Sequence, residues 1–99
     1  MNCTFTFDPI ALAEYMEAIA WYGERSDVAY DNFISEVDKK ITDICTAPTS
    51  FRNSYRKYRK TSLKTFPYSI VYLLDEKLKL VTITSIYHHK RSPKRKYKK

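Results

Sequence analysis

The sequence contains little glycine, little cysteine and no long apolar run. With one glycine in 99 residues and 43% hydrophobic residues, the chain is not of low complexity and is expected to fold as a globule. Cys3 and Cys45 are too few to cross-link a small secreted protein and lack metal-ligand spacing with the histidines. We therefore expect reduced thiols, no metal site and no cofactor.

Signals for export and membrane insertion are also missing. No segment approaches the roughly 18 consecutive apolar residues of a membrane span. The first residues do not show a basic segment followed by an apolar run, which is the pattern of a secretory signal. We expect a cytoplasmic protein without a membrane partner.

Acidic residues are scarce in the second half of the chain. Residues 1–49 hold nine Asp or Glu and three Lys or Arg, whereas residues 50–99 hold two Asp or Glu and fifteen Lys or Arg. The net charge of +7 is thus concentrated where it attracts phosphate backbones or acidic peptides. Tyrosines interleave with these charges, which favours a binding surface. The alternative is that the basic side chains only solvate one face of a sheet.

The first half predicts a strand and two helices. Residues 3–7 alternate apolar and polar side chains, as a half-buried strand does. Asp8 and Pro9 then provide a helix start, and apolar residues at steps of three and four predict a helix over residues 9–25. Ser26 is a second N-cap, and Pro48 ends the following helix. The short link between the helices predicts an antiparallel hairpin that packs against a sheet.

The second half predicts three antiparallel strands. Residues 49–53 are expected to form a loop, and a basic strand begins near Tyr55 with charge on both faces, which suits an edge. Residues 70–74 are apolar on both faces and predict a central strand. A turn at residues 75–77 leads into the last strand. The fold class is α+β, with one domain over residues 1–93 and a basic tail, expected to be mobile, at residues 94–99.

Three local signatures carry a resemblance to a known family. They are Trp21-Tyr22, the segment from Arg59 through Phe66-Pro67-Tyr68 into the central strand, and Ile86-Tyr87-His88-His89-Lys90-Arg91-Ser92-Pro93. Together with the element order, they resemble the RelE/ParE superfamily of bacterial type II toxins, or plasmid stabilisation proteins, over residues 3–93. The resemblance implies helices on one face of the sheet and neutralisation by a cognate antitoxin protein.

The resemblance also implies two alternative mechanisms. RelE-like members cut mRNA on the ribosome, whereas ParE-like members inhibit DNA gyrase without an active site of their own. Cleavage needs proton transfer and stabilisation of the phosphorane charge. The residues implied for catalysis are His88, Arg59 and Arg91. Those implied for contacts with RNA or phosphate are Lys57, Lys60, Tyr87 and Tyr68.

Two features of this sequence depart from an RNA-cleaving pattern. Ser69 stands where many RNA-cleaving relatives carry an arginine, and no acidic general base is evident on the strands. A gyrase inhibitor, or an inactive member that only binds antitoxin, therefore stays open beside the ribosome-dependent nuclease. His88 is the preferred candidate for proton transfer, because the unperturbed pKa of histidine lies near physiological pH. Adjacent strand residues point to opposite faces, so at most one of His88 and His89 would normally face a given site.

Overall fold

The computed structural model describes residues 3–90, so Arg91 and the tail at residues 94–99 lie outside it. In chain order the elements are β1 (Thr4–Phe7), α1 (Pro9–Gly23), α2 (Asp27–Thr46), β2 (Arg52–Tyr55), β3 (Tyr58–Ser62), β4 (Tyr68–Asp75) and β5 (Leu80–His88). Within the described range, no helix has the length and apolar character needed to cross a lipid bilayer. The predicted α+β class and the predicted helical hairpin are confirmed.

The five strands form one mixed sheet in the order β1-β5-β4-β3-β2. β1 runs parallel to β5, and the other neighbouring strands are antiparallel. Four strands follow the helices rather than the predicted three, because β2 begins within the segment expected to be a loop and ends at Tyr55, where the basic strand was expected to begin. A tight turn at Arg56, whose φ is 52°, folds β2 back onto β3 at the edge of the sheet.

Side-chain caps fix where both helices begin. The Asp8 carboxylate accepts a hydrogen bond from the Ile10 amide at 2.9 Å, and the Ser26 hydroxyl accepts one from the Ala29 amide at 3.1 Å. Each cap satisfies an amide that the first helical turn leaves without an intrahelical partner. Helix α1 ends at Gly23, two residues before the predicted end.

Aromatic and aliphatic side chains fill the space between the helices and the sheet. Phe33 of α2 is fully buried, and its ring lies 5.1–5.2 Å from the rings of Phe66 and Tyr68. Tyr72 of β4 is also fully buried, and its hydroxyl donates to the Pro48 carbonyl at 2.6 Å. This core holds α1 and α2 on one face of the sheet.

The opposite face of the sheet carries a smaller apolar cluster with polar side chains beside it. We call this face of the sheet the open face. Its residues are Tyr58, Lys60, Ser62, Ser69, Val71, Tyr87 and His89. Because side chains alternate along each strand, their neighbours in β3, β4 and β5 point toward the helices.

Candidate functional site

Strand register places three polar residues in one row across the open face. Ser62 of β3 lies opposite Ser69 of β4, and Ser69 lies opposite Tyr87 of β5. Directly paired residues of neighbouring antiparallel strands have side chains on the same face. The row therefore forms the floor of a polar site near one end of the sheet.

A lysine ammonium lies at one side of this row. The Lys60 ammonium donates a hydrogen bond to the Tyr87 hydroxyl at 3.3 Å. Tyr87 is only 8% exposed, so its ring belongs to the small apolar cluster and its phenolic oxygen reaches the lysine. This contact orients the positive charge at the site, although the buried ring offers little surface on which an RNA base could stack.

An imidazole lies at the other side of the row. His89 Nε2 lies 2.8 Å from the Ser69 hydroxyl, which lies 3.0 Å from the Ser62 hydroxyl. Ser69 is 2% exposed, whereas His89 is exposed at the end of β5. The open face thus brings an imidazole, two hydroxyls, a phenol and an ammonium together, which are groups able to transfer protons and stabilise negative charge.

His88 points to the helix side of the sheet. Its ring makes an edge contact with the Tyr68 ring at 5.1 Å, and its Nδ1 accepts a hydrogen bond from the Lys90 amide at 3.0 Å. It lines a groove of about 600 Å³ between α1 and β5 together with Trp21 and Glu17. Strand alternation therefore separates the two histidines, and the structure places His89 beside Ser69.

Arg59 also lies on the helix side, where backbone carbonyls bind its guanidinium. Arg59 Nη1 donates to the Phe51 carbonyl at 2.7 Å and approaches the Thr49 carbonyl at 3.3 Å. These contacts tie β3 to the segment that connects α2 with β2. Lys57 lies in the β2–β3 turn, three residues before Lys60, which corresponds to about 10 Å along a strand.

Of the residues that the sequence indicated, the structure brings Lys60 and Tyr87 together. Arg59, His88 and Tyr68 lie on the opposite side of the sheet, Lys57 lies in the turn, and Arg91 lies outside the described residues. Sequence reasoning missed the contacts that His89 and Ser62 make with Ser69. The available signal was the alternation of adjacent strand residues, but the register that pairs β3, β4 and β5 was required to find them.

The site shows no arrangement typical of a metal centre. Within residues 3–90, no three His, Cys, Asp or Glu side chains are grouped so that they could hold a metal ion. Asp75 and Glu76 lie at the β4–β5 turn, at the other end of these strands from His89.

Comparison with known proteins identifies the family. The family model of the ParE toxin of the type II toxin–antitoxin system parDE matches residues 5–93. The chain belongs to this toxin family. Its membership confirms the resemblance to the RelE/ParE superfamily, and the match includes every residue of the open face.

Solved structures show the same fold for the toxin. The crystal structure of the isolated E. coli RelE toxin has a TM-score of 0.64 at 18% identity, covering 92% of this chain and 88% of that chain. A chain of the intact E. coli RelBE toxin–antitoxin complex has a TM-score of 0.64 at 17% identity, covering 91% and 100%. Among curated proteins, none matches the sequence significantly.

Proposed function

We propose that this toxin arrests growth by cutting mRNA on the ribosome and that Lys60 and His89 are its catalytic residues. The observation that supports the proposal is the row on the open face, where the Lys60–Tyr87 pair lies beside the His89–Ser69 pair. A cationic donor and an imidazole on one surface supply the two functions that RNA cleavage by its own 2′-hydroxyl requires.

The reaction assigns one role to each group. The His89 imidazole takes the proton of the 2′-hydroxyl, whose oxygen attacks the adjacent phosphorus. The Lys60 ammonium stabilises the phosphorane charge and gives a proton to the 5′-oxygen as the P–O5′ bond breaks. The products are a 2′,3′-cyclic phosphate and a 5′-hydroxyl. Tyr87 holds the lysine, and the ribosome presents the mRNA.

Arg59 and His88 contribute differently in this proposal. The guanidinium of Arg59 is engaged by backbone carbonyls, so we assign it to the fold rather than to the reaction. His88 lies in the groove beside α1 and is assigned to partner binding. Arg91 stays a candidate for phosphate contact, two residues after His89 in the sequence.

We further propose that a cognate antitoxin covers the groove between α1 and β5. Trp21 is 47% exposed there, and the Arg25 guanidinium lies 3.8 Å from the centre of its ring. Lys90 and His88 line the same groove. Glu14 and Glu17 line the groove as well, so its exposed aromatic ring and its charges of both signs suit an antitoxin segment that carries apolar residues and complementary charges. Trp21→Ala is expected to weaken neutralisation without changing the fold.

Inhibition of DNA gyrase is the second candidate function. It is favoured by Ser69, which occupies a position where many RNA-cleaving relatives carry an arginine, and by the ParE model that matches the chain. A serine supplies no fixed positive charge for the scissile phosphate. In this alternative the open face binds a protein and no bond is broken.

Mapping of new mRNA 5′ ends in cells that express the toxin without antitoxin distinguishes the two. We expect cuts within translated codons for the wild type, and a loss of cuts for Lys60→Met and for His89→Gln. Lys77→Met, in the distant β4–β5 turn, and His88→Gln are the matched controls and keep the cuts. Growth arrest without cuts, accompanied by loss of DNA supercoiling, would replace the nuclease with the gyrase inhibitor.

A further inference from the structure

The Ser69 hydroxyl occupies a restricted position between two partners. It lies 2.8 Å from His89 Nε2 and 3.0 Å from the Ser62 hydroxyl, and the residue is 2% exposed. A hydroxyl has one proton to donate and can accept two hydrogen bonds. Because Ser69 has so little contact with solvent, its hydroxyl proton points to one of these two partners, Ser62 or His89.

His89 needs an anchor of this kind. It follows the last residue of β5, and its amide donates to the Pro67 carbonyl at 2.8 Å, which fixes the main chain but leaves the orientation of its exposed ring open. An exposed imidazole samples several rotamers, and only some of them place a ring nitrogen where a 2′-hydroxyl can reach it. The contact between Nε2 and Ser69 selects one ring orientation and assigns Nδ1 to exchange protons with RNA.

We propose that Ser69 is a positioning residue for His89, with Ser62 as the second member of a hydrogen-bonded chain. This role rests on the proposed nuclease function. Because Nδ1 exchanges its proton with RNA, Nε2 keeps a proton in both states of the ring: Nε2 donates to Ser69, and Ser69 donates to Ser62. The chain therefore keeps the ring in place while the imidazole gains and loses its proton.

The same geometry offers a physical reason for a serine at residue 69, where many RNA-cleaving relatives carry an arginine. Ser69 pairs directly with Tyr87 of β5, whose hydroxyl accepts a hydrogen bond from Lys60. One buried serine therefore connects the imidazole side of the site with the ammonium side. An arginine at residue 69 would bring its own charge but would displace the short contact to His89. This chain thus replaces a charged side chain with a positioned imidazole.

The contact can be tested without RNA by acylation of histidines with diethyl pyrocarbonate. Trypsin cleavage after Lys79 and Lys90 yields one peptide that contains both His88 and His89, and tandem mass spectrometry separates the two sites. We expect His89 to react about fivefold faster in Ser69→Ala than in the wild type, because loss of one ordinary hydrogen bond releases Nε2, which can then lose its proton and be acylated as well as Nδ1. The rate at His88 should stay unchanged and serves as the internal reference.

Cleavage kinetics test the role. With ribosomes carrying mRNA as substrate, Ser69→Ala should lower kcat by about tenfold or more at unchanged KM, because ring orientation and not substrate binding is lost. Ser69→Thr keeps the hydroxyl and should retain most of the rate. Ser85→Ala removes another buried serine, which bonds Glu14, and is the matched control.

Each outcome separates the two proposals. Equal acylation of His89 in the wild type and in Ser69→Ala overturns the positioning contact, whatever the toxin does to RNA. A kcat for Ser69→Ala within about twofold of that for Ser85→Ala overturns the catalytic role of the contact. A protected His89 in a wild-type toxin that cuts no RNA overturns the nuclease and, with it, the role of Ser69 in catalysis.

Discussion

Replacement of Arg59 by alanine should destabilise the toxin while leaving its chemistry intact. The guanidinium connects β3 to the segment after α2 through the carbonyls of Phe51 and Thr49, at 2.7 and 3.3 Å. In the same segment, the Pro48 carbonyl accepts a hydrogen bond from the Tyr72 hydroxyl. Arg59 and Tyr72 are direct partners in the β3–β4 register. Both therefore join the same part of the sheet to the segment after α2.

The size of the effect follows from these two contacts. A hydrogen bond from a charged donor contributes about 1.5–3 kcal/mol, and the 2.7 Å contact with the partly buried Phe51 carbonyl belongs in this range. The 3.3 Å contact with Thr49 is longer and exposed, so it adds little. We expect a loss of about 2 kcal/mol, which lowers Tm by roughly 8 to 16 °C in a domain of this size.

Thermal unfolding followed by circular dichroism, together with cleavage of ribosome-bound mRNA at 25 °C, checks this prediction. Arg52→Ala, at an exposed position of β2, is the matched control and should change stability by no more than about 0.5 kcal/mol. Lys60→Met should show the reverse pattern, with Tm nearly unchanged and cleavage lost. An Arg59→Ala toxin with wild-type Tm and no cleavage would refute the reasoning and return Arg59 to the active site.

Three further predictions concern the fold. Tyr72→Phe should lower the free energy of unfolding by about 1–2 kcal/mol in denaturant titrations, because the buried hydrogen bond to Pro48 is lost. Burial raises the pKa of Tyr72 to about 12. The folded state therefore binds the phenolic proton more tightly than the unfolded chain, whose tyrosines titrate near pH ~10. This contribution to stability is complete below that pH and is lost as pH rises toward 12; the Phe variant should lack that part of the loss. Glu14→Ala should speed hydrogen exchange at the Ile86 amide, which donates to the Glu14 carboxylate at 2.9 Å, whereas Glu14→Gln keeps an acceptor and should change it less. Phe33→Ala removes a fully buried ring and should cost about 3–5 kcal/mol, enough to abolish cooperative unfolding near 37 °C.

Much of the fold was accessible from sequence because local patterns and tertiary packing agree. The caps at Asp8 and Ser26 and the helical spacing of apolar residues both indicate helices. The run of residues that is apolar on both faces indicates a central strand. Strand β2 was not accessible. Its residues are polar and mostly exposed, so no burial pattern distinguishes it from a loop, and only pairing with β3 at the sheet edge makes it a strand.

The amino-acid sequence by itself determined the order of most elements, the concentration of positive charge in the second half and the fact that His88 and His89 face opposite ways. Each depends on residue type or on a period along one strand. Only the tertiary structure decided which histidine lies on the same face as Lys60 and which basic side chains, such as that of Arg59, are hydrogen-bonded away from the site. Those answers depend on the register between strands that are distant in sequence. A shift of one residue would exchange the two faces, and no local pattern in β3, β4 or β5 fixes it alone.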